Sequence, residues 1–331
     1  MAQLMVCFPS ARTKGCRKQS TGVTCLSGES DKLPTGGEKK HMKTCYRIPA
    51  PYAEQFLKLA DDYVCDSPAR PERFIQKMKN NRGAVSAITQ AGLDENGLER
   101  KNPVIVALGD SVTAGHFESL LPRDPEKLRA WFSDMTKNSG QEIPPGEITD
   151  ARESYVEKFR LALIDKYAQT SVSILNAGIA GDVLPMMLKR AKRDVVSHDP
   201  DLVLINGSLN WDDKTMGDAE TYKTLLKTLV RQLKRETEAD IILLTPNGDL
   251  SNDMLESLGI PAVIPTTPVR CEAIRAVARE EHVCLADVRA VWDLAAKAGI
   301  PWKLLLANAV NHPSVEGHEV YAKVLMKLFE E

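Results

Sequence analysis

The chain has 331 residues, 43% of them hydrophobic and 27% charged, with a formal net charge of -2 at pH 7. That length accommodates one large α/β domain with appendages, or two small domains. The composition excludes a general electrostatic attraction to nucleic acid or to an anionic membrane, and no apolar run approaches the roughly 18 residues that span a bilayer.

Residues 1–45 are rich in Ser, Thr, Gly and Lys, show no periodicity, and read as a disordered tail. Arg12, Lys14, Arg17 and Lys18 occur there with no acidic residue before Glu29, which also fits a targeting segment. The apolar patch at residues 4–8 is too short for a secretory core, so a cytoplasmic protein is the expectation and a targeting segment the alternative. The 7 cysteines form no Cys-x-x-Cys pair, which points to free thiols in a reducing compartment rather than to zinc or thioredoxin-like chemistry. Residues 46–100 read as a helical extension, with helices near 53–63 and 72–79 and a linker around Gly92 and Gly97. No chemistry is visible in it, so packing or a partner surface is expected.

From residue 101 to 331 the pattern is that of an α/β domain. Short continuous apolar runs occur at residues 104–108, 172–175, 202–205, 241–244 and 283–286. Unbroken apolarity in strand-length runs fits strands covered on both faces, as in a parallel sheet. Helical spacing separates them. Tyr155, Phe159, Leu163 and Tyr167 step by four; Tyr222, Leu225, Leu226, Leu229, Val230 and Leu233 follow a 3.6-residue period, as do Val320, Tyr321, Val324, Leu325 and Leu328. The alternation predicts a flavodoxin-like three-layer sandwich around about five parallel strands. In such a sheet ligands sit beyond the carboxyl ends of the strands.

Four segments at strand ends or loops carry candidate chemistry. Gly109-Asp110-Ser111-Val112-Thr113-Ala114-Gly115 places a serine on a strand-to-helix turn, where a helix N-terminus would favour a developing anion. The alternative is an ordinary Asp or Ser helix cap. Asn176-Ala177-Gly178-Ile179-Ala180-Gly181-Asp182 reads as a glycine-bearing exit loop whose Gly181 N–H can reach an oxyanion, or as a loop needing positive φ. Asn206-Gly207-Ser208-Leu209-Asn210 offers a side-chain amide at Asn210, an oxyanion donor or a turn residue. Asn308-Ala309-Val310-Asn311-His312-Pro313 sets His312 just before the last helix, where an imidazole titrating near neutrality can serve as a base.

Together these residues resemble the GDSL/SGNH hydrolase superfamily. Its blocks correspond to Gly109-Asp110-Ser111, Gly181, Ser208-Leu209-Asn210 and His312-Pro313, over about two thirds of the chain. Further segments resemble a bacterial acylhydrolase branch: Arg193-Asp194-Val195, the run from Asp199 to Val203, Thr245-Pro246-Asn247, and Gly317-His318. The resemblance implies a serine esterase with Ser111 as nucleophile and His312 as general base. The Ser111 N–H, the Gly181 N–H and the Asn210 side chain would then form the oxyanion hole. The chain departs from the pattern at Val112, Ser208 and Trp211, and most at Ala309, which stands where the family has the aspartate that orients the histidine. Asn308 or a backbone carbonyl is the candidate orienter, and Asn308 alternatively bonds local backbone.

The expected reaction needs no metal and no cofactor; His116, His198 and His318 read as structural or surface residues. The expected substrate is a small soluble or carbohydrate ester, and no nucleic-acid or membrane partner is expected. Residues 117–150, containing Trp131 and Phe132, read either as a lid or specificity loop or as a surface excursion with a helix at 125–137. A non-catalytic binding module on the same fold is the rival reading. A nucleotide-binding flavodoxin-like protein is a third, weakened by the absence of a phosphate-loop lysine.

Overall fold

The computed structural model describes residues 45–80, 102–119, 126–127, 130, 146–168, 170–249 and 268–330, all within the compact unit Lys43–Glu331. The tail, the linker around Gly92 and Gly97, and the central part of the 117–150 segment lie outside the described residues. So do Trp131, Phe132 and most of the expected helix at 125–137.

Five parallel strands form the central sheet: β1 (Val104–Gly109), β4 (Ser173–Gly178), β5 (Leu202–Asn206), β6 (Asp240–Leu244) and β7 (Cys284–Ala286), in the order β4-β1-β5-β6-β7. A small antiparallel pair, β2 (His116–Ser119) and β3 (Glu147–Thr149), stands apart from it. The reason for the unbroken apolar runs is visible in the packing. Ile105, Ala107, Leu202, Leu204, Ile242, Leu244, Cys284 and Ala286 face one core, while Val106, Leu108, Val203, Ile205, Ile241, Leu243 and Leu285 face a second core across the sheet. Alternate side chains leave a strand on opposite sides, so a strand buried twice must be apolar at every position.

The first core is closed by α1 (Ala50–Asp62), α2 (Glu72–Asn80), α4 (Tyr155–Lys166), α9 (Val288–Lys297) and α11 (Val315–Lys327), and the second by α5 (Leu184–Asp194), α7 (Ala219–Glu236) and α8 (Pro268–Glu281). Three short α-helices also occur among the described residues: α3 (Ser111–Ala114), α6 (Asp213–Met216) and α10 (Trp302–Leu305). Phe56 and Ala60 of α1 and Phe74, Ile75 and Met78 of α2 lie in the same apolar cluster as the sheet. No helix among the described residues is long and apolar enough to cross a membrane.

Two boundaries correct the sequence reading. Strand β4 runs on to Gly178, past the apolar run that ends at Leu175, because Asn176 and Ala177 continue the ladder opposite Ala107 and Leu108. At a sheet edge, half-exposed positions tolerate polar residues, so hydrophobicity ends before pairing does. Helix α1 starts at Ala50 rather than 53, since Pro51 sits in its first turn, where a missing N–H costs nothing.

The order β4-β1-β5 means that the chain leaves β1 for one side and later returns on the other. The carboxyl ends of these three strands therefore open at the topological switch point, and Gly109 lies between Gly178 and Asn206 there.

Candidate active site

Ser111 sits at the end of β1. Asp110 caps the turn, its Oδ1 accepting the Val112 N–H at 3.0 Å. The helix expected after the serine is one turn long. Gly115 ends it at φ +89, a left-handed conformation that glycine adopts without steric cost, and closes N–H bonds to the Ser111 and Val112 carbonyls. A four-residue helix has little macrodipole to offer, so the dipole expected at the serine is corrected to local N–H groups. The early stop has a second consequence: the chain turns at once into β2 and brings the Phe117 carbonyl within reach of the His312 ring. The turn is also packed tightly on the sheet. A Cβ at Gly109 would lie 2.0 Å from Thr113 Oγ1 and 2.7 Å from the Asn206 carbonyl oxygen, and Thr113 Oγ1 shares a 2.8 Å hydrogen bond with Tyr155 Oη. Asp110 is fully buried, and burial pushes its carboxyl up to about 7.

His312 reaches the same point from the far end of the chain. The Ser111 hydroxyl and His312 Nε2 are 2.9 Å apart although 201 positions separate them. Nδ1 of His312 lies 3.0 Å from the Phe117 carbonyl oxygen. A carbonyl can only accept, so Nδ1 carries the proton and Nε2 presents a lone pair to the serine hydroxyl. His312 is buried, and burial lowers its pKa; the nearby Glu147 carboxylate and the Phe117 carbonyl act in the opposite sense, and His116 reinforces the lowering. The imidazole thus stays neutral, and able to accept a proton, below the ordinary histidine range.

Asn308 does not touch the imidazole, which corrects its reading as a possible orienter. Its Oδ1 accepts the N–H groups of Val310, Asn311 and His312 at 3.0, 2.9 and 2.9 Å, and its Nδ2 donates to Asn311 Oδ1 at 2.9 Å. It closes the loop in which Ala309 adopts φ +56. Ser314 then caps α11, its Oγ accepting the Gly317 N–H. The loop is tied down from outside as well. Asn247 Nδ2 donates to the Asn311 carbonyl at 2.8 Å, and the segment before α1 lies against the start of α11, where Val315 N–H donates to the Tyr46 carbonyl and Ile48 N–H to Glu316 Oε2.

The other two expected site residues are on neighbouring loops that are linked to each other. Gly181 is exposed, has φ +71, and has nothing among the described residues within 4 Å of where a Cβ would stand. Asn210 Nδ2 donates to the Asp182 carbonyl at 3.1 Å, which joins the loop after β5 to the loop after β4. The latter is anchored beside the serine by the Ile179 N–H, which donates to the Gly109 carbonyl at 3.1 Å. Trp211, which replaces an aspartate of the family pattern, is a core residue, packed edge-on to Tyr222 with Nε1 donating to the Gly217 carbonyl.

Three participants escaped the sequence reading. Glu147 on β3 holds Oε1 3.7 Å from His312 Nδ1, and its Oε2 is hydrogen-bonded to His116 Nδ1. His116 is therefore a residue of the site, its ring centroid 6.2 Å from that of His312, which corrects its reading as merely structural or surface. His198 is exposed, and His318 is buried, with Nδ1 accepting the Tyr155 N–H. The third is Arg190, buried on α5. It donates to Asp182 Oδ2 at 2.7 Å, to the Ala177 carbonyl at 2.8 Å and to the Gly109 carbonyl at 3.0 Å, clamping the ends of β1 and β4 to the Gly181 loop. An arginine among Leu184, Met187 and Ala191 on a buried helix face was the signal that could have revealed it. Glu147 sits in a polar stretch without periodicity and offered none.

A serine hydroxyl on an imidazole whose tautomer is set by a carbonyl, at the switch point of a doubly wound sheet, is an arrangement able to generate an oxygen nucleophile. The family match agrees, spanning residues 107–320 of the chain. The protein belongs to the GDSL-like lipase/acylhydrolase family. Its class of chemistry is carboxylic ester hydrolysis. It is similar to an acetylxylan esterase of Geobacillus stearothermophilus, with 24% identity over 215 residues, 61% of this chain and 93% of that one. Among solved structures it is similar to a catalytic mutant of Axe2, an acetylxylan esterase from Geobacillus stearothermophilus (TM-score 0.47, 21% identity, 71% of this chain and 98% of the other). It is also similar to LAE5, an alpha/beta hydrolase enzyme from the metagenome of Lake Arreo, Spain (TM-score 0.46, 21% identity, 68% and 94%).

Proposed function

We propose that this family member is a serine esterase working through Ser111 and His312, with short acyl esters of carbohydrates or other small alcohols as substrates. The observation that carries the mechanism is the pair of contacts on one imidazole: Nε2 at 2.9 Å from the Ser111 hydroxyl and Nδ1 at 3.0 Å from the Phe117 carbonyl. Ser111 Oγ attacks the ester carbonyl carbon while its proton passes to Nε2. The oxyanion is received by the Ser111 N–H, the Gly181 N–H and the Asn210 side-chain amide, each donor worth roughly 10²- to 10³-fold in rate. His312 returns the proton to the leaving alcohol oxygen as the carbonyl re-forms. Water then attacks the acyl-serine with His312 again as base, releasing the acid and restoring the hydroxyl. The acetylxylan esterase similarity supports an acetyl group on a sugar as the acyl unit and acceptor class. Among the described residues nothing crowds the Cβ side of Gly181, which favours room for substrate beside the proposed donors.

The test is hydrolysis of p-nitrophenyl acetate and of acetylated xylo-oligosaccharides against long-chain acyl esters. Turnover of the acetyl esters, reduced roughly 10⁴-fold or more in Ser111→Ala and in His312→Ala, is the expected result. No turnover of any ester by a folded protein would support the non-catalytic binding module instead. A preference for long acyl chains would reject the substrate class while leaving the mechanism standing.

A further inference from the structure

We propose that Glu147 supplies the carboxylate that supports His312, in place of the aspartate missing at position 309, so that the triad acid has moved to the β2–β3 pair. This rests on the reading of Ser111 and His312 as nucleophile and base. Ala309 has no carboxylate to give, and Asn308 spends its side chain on the loop backbone. Glu147 arrives from elsewhere. β2 and β3 pair antiparallel, with His116 opposite Thr149 and Ser119 opposite Glu147. One small ribbon thus provides the Phe117 carbonyl, the Glu147 carboxylate and the His116 ring.

The two supports of the imidazole have different tasks. The Phe117 carbonyl takes the Nδ1 hydrogen bond at 3.0 Å and so fixes tautomer and ring orientation. Glu147 Oε1, at 3.7 Å from the same nitrogen, is beyond a good hydrogen bond but within ion-pair range. It acts when Ser111 gives up its proton: the imidazolium then forms beside a carboxylate, and the charge-separated state is stabilised. His116 holds the other carboxylate oxygen and so sets the direction of the group. Among the described residues, the charged and titratable groups around His312 are Glu147, His116 and the buried His318, and around Glu147 they are His116 and His312. Burial works to raise the Glu147 pKa, but the His116 hydrogen bond and the charges of His312 and His116 outweigh it, and the carboxyl is held below its ordinary value of 4.5. Glu147 is therefore ionised wherever His312 can act as a base.

The experiment is Glu147→Gln, read by kcat, KM and the pH profile of acetyl-ester hydrolysis, with thermal melting to establish folding. Glutamine keeps the shape and a partner for His116 but removes the charge. We expect kcat to fall about 10- to 100-fold, less than the ~10⁴-fold seen when a triad residue that also sets the tautomer is neutralised, because Phe117 still sets it here. KM should change little. The acidic limb of the profile should move to lower pH, because a negative neighbour that raises the His312 pKa is gone. Ala309→Asp in the Glu147→Gln background should recover kcat and return the limb upward; aspartate is among the residues that best tolerate a left-handed backbone such as that at 309.

Unchanged kcat with an unmoved limb would overturn the proposal. So would a loss of kcat with an unmoved limb, since that marks a purely structural residue. If Glu147→Gln does not fold, Glu147→Asp is read in the same way: the charge is kept at greater distance, so kcat should fall and the limb should shift downward by less. Full activity with a wild-type limb in that variant would overturn it. A Ser111→Ala control with undiminished turnover would instead bring down the underlying serine–histidine reading, whatever Glu147 does.

Discussion

The two halves of the site are built by opposite means. On the nucleophile side the frame is local: β1, Asp110, Ser111, the single turn of α3 and Gly115 lie within a dozen residues, and the turn is wedged against the sheet with no room for a methyl group at Gly109. On the histidine side almost nothing is local. His312 rests on a carbonyl from β2, lies beside a carboxylate from β3, and sits in a loop held by Asn247 and by the segment before α1. Packing positions the serine, whereas hydrogen bonds and charges drawn from distant parts of the chain position the base. Substitutions in the packing around the serine turn should therefore cost stability, and those of groups that bear on the imidazole ring should cost turnover.

The largest effect is expected at Arg190, which joins the nucleophile strand to the Gly181 loop. Arg190→Met leaves Asp182 as a buried carboxylate without its guanidinium partner, and breaking such a pair costs ~3–5 kcal/mol. Urea unfolding should show this loss, with turnover falling in parallel. A stability change below ~1 kcal/mol would mean that the clamp is not under load. Gly109→Ala comes next. Its Cβ would meet Thr113 and the Asn206 carbonyl at distances that require backbone movement, so about 1–3 kcal/mol of stability should be lost. If the variant is fully stable but slow, the serine turn is not positioned by packing and the contrast fails on that side. Asn308→Ala is expected to have the smallest effect. Three backbone N–H groups lose their acceptor, costing about 1–2 kcal/mol, and kcat should fall several-fold with the acidic limb unmoved. A shifted limb would show that Asn308 acts on the imidazole after all.

The same division decides what could be read from the amino-acid order. The sheet was legible because strands buried on both faces must be apolar throughout, and the strand-exit residues followed once the strands were placed. Ser111, Gly181 and Asn210 stand on the loops after β1, β4 and β5, whereas His312 lies between α10 and α11 and was legible only as a histidine just before the last amphipathic helix. The length of α3 is also legible in principle, since Gly115 is a left-handed helix stop, but in the sequence it stands equally well as part of the nucleophile turn. The end of β4 was missed because pairing at a sheet edge continues through polar residues. Glu147 could not be read at all. It carries no periodicity, and only the β2–β3 pairing, across a long intervening segment, reveals that it faces a histidine 165 positions later in the chain.

The central claim is that Ser111 is made nucleophilic by His312, and covalent labelling with a fluorophosphonate tests it most directly. The account predicts one adduct per chain, mapped to Ser111 by peptide mass spectrometry and absent in Ser111→Ala. Labelling should slow by orders of magnitude in His312→Ala. In the wild type its rate should decline with falling pH only below the ordinary histidine value of 6.5, because burial lowers the pKa of His312. An adduct on another residue, or full-rate labelling of Ser111 in His312→Ala, would contradict it.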